Sequence, residues 1–408
     1  MSLVINNKEC FFADLHIHSR FSRACSKGLN IENLEKWAKV KGLDLLGTGD
    51  FTHPQWLREI KENLNEKNGI LYTESGFKFV LSSEVSLNYN QGKERRVHLL
   101  VIAPSFKIVD RINAWLDTLG RRDYDGRPIF RISCEDFVKK ISKISEYIEV
   151  IPAHIWTPWF GLLGSESGFD SLEEAFGSQT SKIHAIETGL SSDPEMNLRL
   201  NQIKNKTIVS FSDSHSFWPW RLGREATIFS SINSYKEILE EIRENKIIGT
   251  IEVDPAYGKY HFDGHRNCNF SCSPEKTKEL NGICPVCKKH LTLGVSYRVN
   301  ELADVKGEVK SKKIVYKILP LHEIISSSLG TSINSKKVWT IYNKLIERFK
   351  NELNVLLKVE KKELLKVVDT GVADLILKNR DGKIKVKPGY DGVYGEMIKD
   401  WEEQRKLF

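Results

Sequence analysis

Eight histidines and carboxylates stand at the ends of short apolar runs between residues 16 and 215 of this chain, and they are residue types that hold divalent cations. The run Cys10-Phe11-Phe12-Ala13 reads as a buried strand, and alternation puts His16 and His18 on one face just beyond it. After them come Asp50 in Gly47-Thr48-Gly49-Asp50, Glu84 behind Ser82-Ser83, and His98 behind Arg95-Arg96-Val97. His154 follows Pro152-Ala153, and Asp213 and His215 share Ser212-Asp213-Ser214-His215. This is more than one ion needs and suits two or three divalent metals, Zn2+, Mn2+ or Mg2+, bridged by carboxylates. A pair of ions about 3.5–4 Å apart holds a phosphate, activates a water and stabilises the leaving oxygen. Asp213, His215 and Asp50 are the expected catalytic members. Asp213 ranks first, because a carboxylate beside the reacting water both binds metal and accepts a proton. His53 and Glu187 are further residues whose part in the site the spacing leaves open.

A second constellation lies later. Cys268 and Cys272, then Cys284 and Cys287, form two pairs whose spacing predicts a closed structural Zn2+ site, with His261 and His265 as nearby alternative ligands. A closed site has no open position for catalysis, so its role is to shape a surface. The remaining cysteines of the seven, Cys10, Cys25 and Cys134, read as core or loop residues. Two Pro-stiffened aromatic stretches follow ligands directly: Trp156 and Trp159 after His154, and Trp218 and Trp220 after His215. One wall of a substrate pocket is expected from Trp156, Trp159, Trp218 or Trp220, the four candidate substrate-binding aromatics, with Arg221 and Lys27 as basic substrate-binding residues. Stacking on an aromatic ring is indifferent to which base it receives.

What positions these residues is a repeated strand, loop and amphipathic helix over the first 250 residues or so. A helix is expected over Ile31–Lys41, capped by Asn30 and stopped by Gly42. Strands are expected at Phe77–Ser83, Arg96–Ala103, Glu149–Ala153, Ile183–Glu187, Thr207–Phe211 and Ala226–Ser230. Ser133 with Asp136, and Ser234 with Glu237, resemble capping boxes. This alternation predicts a parallel α/β barrel, with an open doubly wound sheet as the alternative, and function at the strand ends. The expected domains are a barrel over 1–252, a cysteine module over 253–300 and a basic, mainly helical unit over 301–408, with one long helix at Ser335–Leu357.

The 408 residues are 40% hydrophobic and 28% charged, ordinary for a globular protein. No apolar run reaches the roughly 20 residues of a membrane span, and the first residues do not form a signal peptide. A cytoplasmic protein without a membrane partner is expected. The net charge of +7 is uneven, −2 over residues 1–252, +3 over 253–300 and +6 over 301–408, so an anionic partner would meet the second half.

The segments "DLHIHS", "PAH" and "SDSH" resemble the polymerase-and-histidinol-phosphatase (PHP) superfamily over residues 10–230. That resemblance implies a metal-dependent phosphoesterase on a distorted (β/α)7 barrel with a trinuclear site. Two departures stand out: Thr48-Gly49-Asp50 occupies the place of Thr-Asp-His, and Ala24-Cys25-Ser26-Lys27 offers no counterpart to a usual ligand. Together with "GTGD", "SRACSKG", "RLGRE", "HRNC", "CPVC" and "PGYDGVYGE", the whole chain resembles the endonuclease Q family. This implies a DNA-repair nuclease that nicks 5′ to deaminated bases such as hypoxanthine, uracil or xanthine, or to abasic sites. Its substrate would be lesion-bearing double-stranded or single-stranded DNA, with repair or replication factors as further partners. The alternatives are a small-molecule phosphomonoesterase of the histidinol-phosphatase type, which needs neither the cysteines nor the basic tail, and a zinc-bearing nucleic-acid-binding protein without catalysis.

Overall fold

Asn30 accepts from the Asn33 amide, Ile31–Lys41 follows as a helix, and Gly42 ends it at a φ of 99°, a conformation that favours glycine. The computed structural model describes residues 3–5, 8–307 and 309–398. Ser133 and Ser234 cap the helices Cys134–Ile144 and Tyr235–Arg243 through the amides of Asp136 and Glu237. Among the described residues no helix is long and apolar enough to cross a membrane.

Seven strands close around the core: β1 (Lys8–Asp14), β2 (Leu45–Gly47), β3 (Lys78–Gln91), β4 (Lys93–Ala103), β5 (Glu149–Pro152), β6 (Ala185–Glu187) and β7 (Thr207–Val209). Strands β1, β2 and β3 pair in parallel, as do β6 and β7. The Ile155 amide bonds to the Glu187 carbonyl just past β5 and β6, and Ile17 bridges Ser214 past β1 and β7, which completes the circuit. The parallel expectation fails at β4, which runs antiparallel to both β3 and β5. The cause is local: β3 and β4 are one long hairpin turning at Gly92, whose φ is 72°, with no crossover helix between them. This antiparallel insertion distorts the barrel and carries its wall past Glu84.

Outside the barrel, β8 (Ala226–Phe229) pairs antiparallel with β1, and β9 (Gly249–Glu252) pairs with β8. A strand from beyond the expected helical boundary, β10 (Ile314–Lys317), then adds in parallel to β9. The unit expected to start at 301 therefore begins by extending the barrel sheet. The single helix expected over Ser335–Leu357 is two, Lys336–Phe349 and Glu352–Leu357, broken where Lys350 takes a φ of 76° and Asn351 caps the second. Hydrophobic residues from the barrel and from this helical unit form one continuous cluster.

Candidate metal centre and its cavity

Two groups of side chains meet inside the barrel mouth, and Glu84 belongs to both. His16, His18, Glu84 and Asp213 offer ligand atoms all within 4.8 Å of one another, and so do Glu84, His98 and His154. In the first group His18 Nε2 lies 3.0 Å from Asp213 Oδ1 and 3.3 Å from Glu84 Oε2. In the second, Glu84 Oε1 lies 2.8 Å from His98 Nδ1 and 3.1 Å from His154 Nε2. His16 Nε2 is buried, aims between Glu84 and Asp213 and has no hydrogen-bond partner. An orphaned imidazole nitrogen facing carboxylates fits a divalent cation, and Glu84 is placed to bridge two.

The other ring nitrogens are held from behind. His16 Nδ1 sits 2.9 Å from Glu187 Oε1, and His18 Nδ1 sits 3.0 Å from Asp50 Oδ1. Carboxylates in this position fix ring orientation and raise ligand basicity. Asp50 was expected among the ligands and catalytic residues; it stands outside both groups. Its second oxygen accepts from the Ser19 amide and from the Ser19 and Ser22 hydroxyls, which saturates it. Glu187, whose part the spacing left open, also accepts from the His154 amide. His53 instead stacks on Phe21 with ring centres 4.3 Å apart. His215 lies in neither group: its Nδ1 is 3.0 Å from the Asp213 carbonyl and its ring is 4.4 Å from that of His18.

Burial works against charge on all of these groups; it prevails at His98 and His215, which are held below the usual imidazole range, while opposite charges prevail at the two carboxylates. His18 and the neighbouring imidazoles hold Asp213 well below the usual carboxylate range, and His98, Arg127 and His16 do the same for Glu84. Three of the positioned residues, Asp50, His154 and Asp213, adopt positive φ values of 44°, 31° and 48°. Such backbone persists where surrounding structure over-determines it, commonly at functional sites. Asp14 supplies part of that constraint, accepting from the Ser212 amide and hydroxyl and the Gly223 amide, so the loop bearing Asp213 is pinned to β1.

A cavity of about 690 Å3 opens over the two groups. Its walls include Trp159, Tyr260, Tyr394, Arg127, Arg221 and Arg224. Of the four candidate aromatics only Trp159 lines it. Trp156 is fully buried and its Nε1 donates to Asn197 Oδ1 at 2.8 Å, so it is a core residue. Trp218 and Trp220 stack on each other at 5.5 Å and pack against Trp339 of the helical unit, fastening the loop after His215 to that unit. Arg221 lines the cavity as expected, while Lys27 is exposed and does not. Sequence reasoning missed Arg127, whose Nη1 lies 3.0 Å from Glu84 Oε2, together with Arg224, Tyr260 and Tyr394. The one available signal was that Arg224 and Tyr394 fall within "RLGRE" and "PGYDGVYGE".

The cysteine module gathers a different set from the expected four. His265, Cys268, Cys284 and Cys287 bring ligand atoms within 4.8 Å of one another, with His265 Nδ1 3.1 Å from Cys268 Sγ. Cys272 is absent because the hairpin register pairs it with Asp263, two positions along the strand from His265, and its Sγ meets Thr277 Oγ1 at 3.2 Å. Three thiols and one imidazole fit a closed tetrahedral Zn2+ site, and the spacing becomes His-x2-Cys followed by Cys-x2-Cys.

Residues 320–383 match the family described as MJ0043 C-terminal domain. The chain is 34% identical over 291 residues to the uncharacterized protein MJ0043 of Methanocaldococcus jannaschii, an alignment covering 68% of this chain and 35% of that protein. It is 29% identical to the uncharacterized protein YqxK of Bacillus subtilis over 95% of this chain and 98% of YqxK. Among solved structures it superposes on the lesion-specific endonuclease PfuEndoQ of Pyrococcus furiosus with a TM-score of 0.86 and 32% identity, covering 97% of each chain. A TM-score of 0.87 and 32% identity relate it to Endonuclease Q in complex with a 27-mer duplex substrate carrying an abasic lesion at the active site, over 96% of this chain and 97% of that one.

Proposed function

The chain belongs to the endonuclease Q family, and from that premise we propose that it is a metal-dependent DNA-repair endonuclease that nicks the strand 5′ to a deaminated base or an abasic site. The observation that carries this reading is the pair of ligand groups sharing Glu84 at the floor of a cavity walled by arginines and aromatic rings. Divalent ions held there would supply positive charge to a scissile phosphate and to the water that attacks it.

The chain's own residues do the rest. His16, His18, Glu84 and Asp213 would hold one ion, and Glu84, His98 and His154 another. Asp213 is the first-group carboxylate open to the cavity, with its side chain 31% exposed, and is placed to take a proton from the attacking water. His215 stands beside it in the cavity lining, where its imidazole would serve the leaving oxygen. Arg127, Arg221 and Arg224 bring guanidinium groups against the strand's phosphates, and Trp159 and Tyr260, 5.5 Å apart at their ring centres, form one wall for an everted nucleoside. A phosphomonoesterase needs no such wall. His265, Cys268, Cys284 and Cys287 would hold Zn2+ and fix the module that carries Lys259 and Tyr260 to the cavity edge.

Incubating the protein with duplexes carrying one inosine, uracil or abasic site, with and without chelator, tests the reading. Nicking 5′ to the lesion that chelator abolishes and Mn2+ or Mg2+ restores is expected. Phosphate release from an aryl phosphate with no nicking would overturn it in favour of a phosphomonoesterase, and lesion binding without nicking would overturn catalysis.

A further inference from the structure

Between the helices Phe106–Leu116 and Cys134–Ile144 runs a segment whose only strand is Ile129–Phe130, long for a connection and typical of a functional loop. One end is anchored in the candidate site. The Gly126 amide donates to the Phe21 carbonyl, Thr52 Oγ1 donates to the Gly126 carbonyl, and Gly126 lies so close to Asp50 that a Cβ has no room. Arg127 reaches Glu84, and the Ser86 amide bonds to the Pro128 carbonyl.

The other part of the same loop does something unusual for such well-anchored chain: it presents apolar side chains to solvent. Leu119, Tyr124 and Ile129 are 38%, 43% and 47% exposed. Tyr124 is also rigid, because its hydroxyl accepts from the Ile129 amide at 2.8 Å. It stands three residues from Arg127, so its Cα is within about 11 Å of a residue lining the cavity. Arg23, with its side chain 82% exposed, pairs with Asp125 next to it and carries cationic charge to the rim.

We propose that Tyr124 is the wedge that enters the duplex where the damaged nucleotide leaves it. The proposal rests on the nuclease reading above and adds how the substrate is opened. Drawing a nucleotide into the cavity leaves its former neighbours unstacked, a cost that an inserted flat ring offsets. Tyr124 has the ring, the fixed orientation and the nearness, while Ile129 lies beside it and Arg23, paired with Asp125, brings positive charge for a flanking phosphate.

The test compares Tyr124→Ala and Tyr124→Phe with the parent on inosine placed in a duplex and in a single strand, after thermal melting shows each variant folded. Tyr124→Ala should lower kcat/KM on the duplex by roughly ten- to a hundredfold and lower it far less on the single strand, which has no stack to open. Tyr124→Phe keeps the ring but loses the bond to Ile129, so its loss on the duplex should be smaller than that of Tyr124→Ala. Equal losses on both substrates, or no loss on the duplex, would overturn the proposal. A second readout uses 2-aminopurine beside the lesion in a bound duplex. The parent should change its fluorescence and Tyr124→Ala should not. A parent that produces this change but never nicks would refute the nuclease reading while supporting the wedge. Nicking with no Tyr124-dependent change would refute the wedge alone.

Discussion

Asp213 and Asp50 are both carboxylates against His18, but they do different work. Asp213 meets Nε2 and faces the cavity; Asp50 meets Nδ1 and is walled in by Ser19 and Ser22. Asp213→Asn keeps the shape and removes the charge, so nicking should fall about a hundredfold or more at any metal concentration. Asp50→Asn leaves the ligand set intact but loosens His18, so metal affinity should fall roughly 10- to 100-fold and excess Mn2+ should recover much of the rate. Metal titrations of both variants separate the roles, and recovery of Asp213→Asn at high Mn2+ would reverse the assignment. Of Trp156, Trp159, Trp218 and Trp220, Trp159 is the one that lines the cavity. Trp159→Ala should raise KM for an inosine duplex more than for an abasic one, which brings no base to stack; equal effects would show that Trp159 shapes the cavity only.

At the scale of elements, the hairpin of Asp263–His265 with Phe270–Cys272 decides which thiols meet. His265→Ala and Cys287→Ser should each lose one equivalent of zinc and loosen the module, since a structural ion contributes its binding energy to folding. Cys272→Ser should keep its zinc, and metal analysis of the three proteins checks this. Strands β8 and β9 bring together Glu225 and Glu252, both fully buried, with Ser210 Oγ 3.2 Å from one and 3.1 Å from the other. Burial pushes Glu252 up to about 8. A carboxyl raised in the folded state stabilises fully below its unfolded value near 4.3 and loses that stability as pH climbs through about 8. The neutral variant Glu252→Gln should therefore gain on the parent in melting temperature between pH 6 and pH 9. A constant difference across that range would show that Glu252 does not titrate there.

Across the whole molecule, the barrel and the helical unit are latched by a buried ion pair. Lys41 Nζ lies 2.7 Å from Glu352 Oε1 and donates to the Pro219 carbonyl at 2.8 Å, while Glu352 also accepts from Tyr342 and from the Leu321 amide. Pro219 lies between His215 and Arg221, both of which line the cavity, so the latch joins the helical unit to that loop. Glu352→Ala strands the Lys41 charge in the interior and should cost about 3–5 kcal/mol in unfolding free energy. Thermal or denaturant unfolding measures it, and a loss under about 1 kcal/mol would mean that water reaches Lys41.

The sequence by itself determined the helix Ile31–Lys41 with its Asn30 and Gly42 ends, the places of His16, His18, His154 and Asp213 just past strand ends, and the kinship of the chain, because local periodicity, capping chemistry and short motifs are written in neighbouring residues; Glu84 and His98, expected at strand ends, lie inside the two long strands of one hairpin. The tertiary structure decided whatever depends on residues far apart in the chain. Which nitrogen of His18 faces Asp213 follows from Asp50 and its serines, and whether a thiol joins His265 and its three cysteines follows from hairpin register. Whether a tryptophan is wall or core follows from packing: Trp156 finds Asn197, Trp218 and Trp220 find Trp339, and Trp159 is left at the cavity. Arg127 carries no local mark, since a lone arginine in a loop acquires its place only when Glu84 is brought beside it, and the motif that holds Tyr394 does not say that Lys259 will meet its ring.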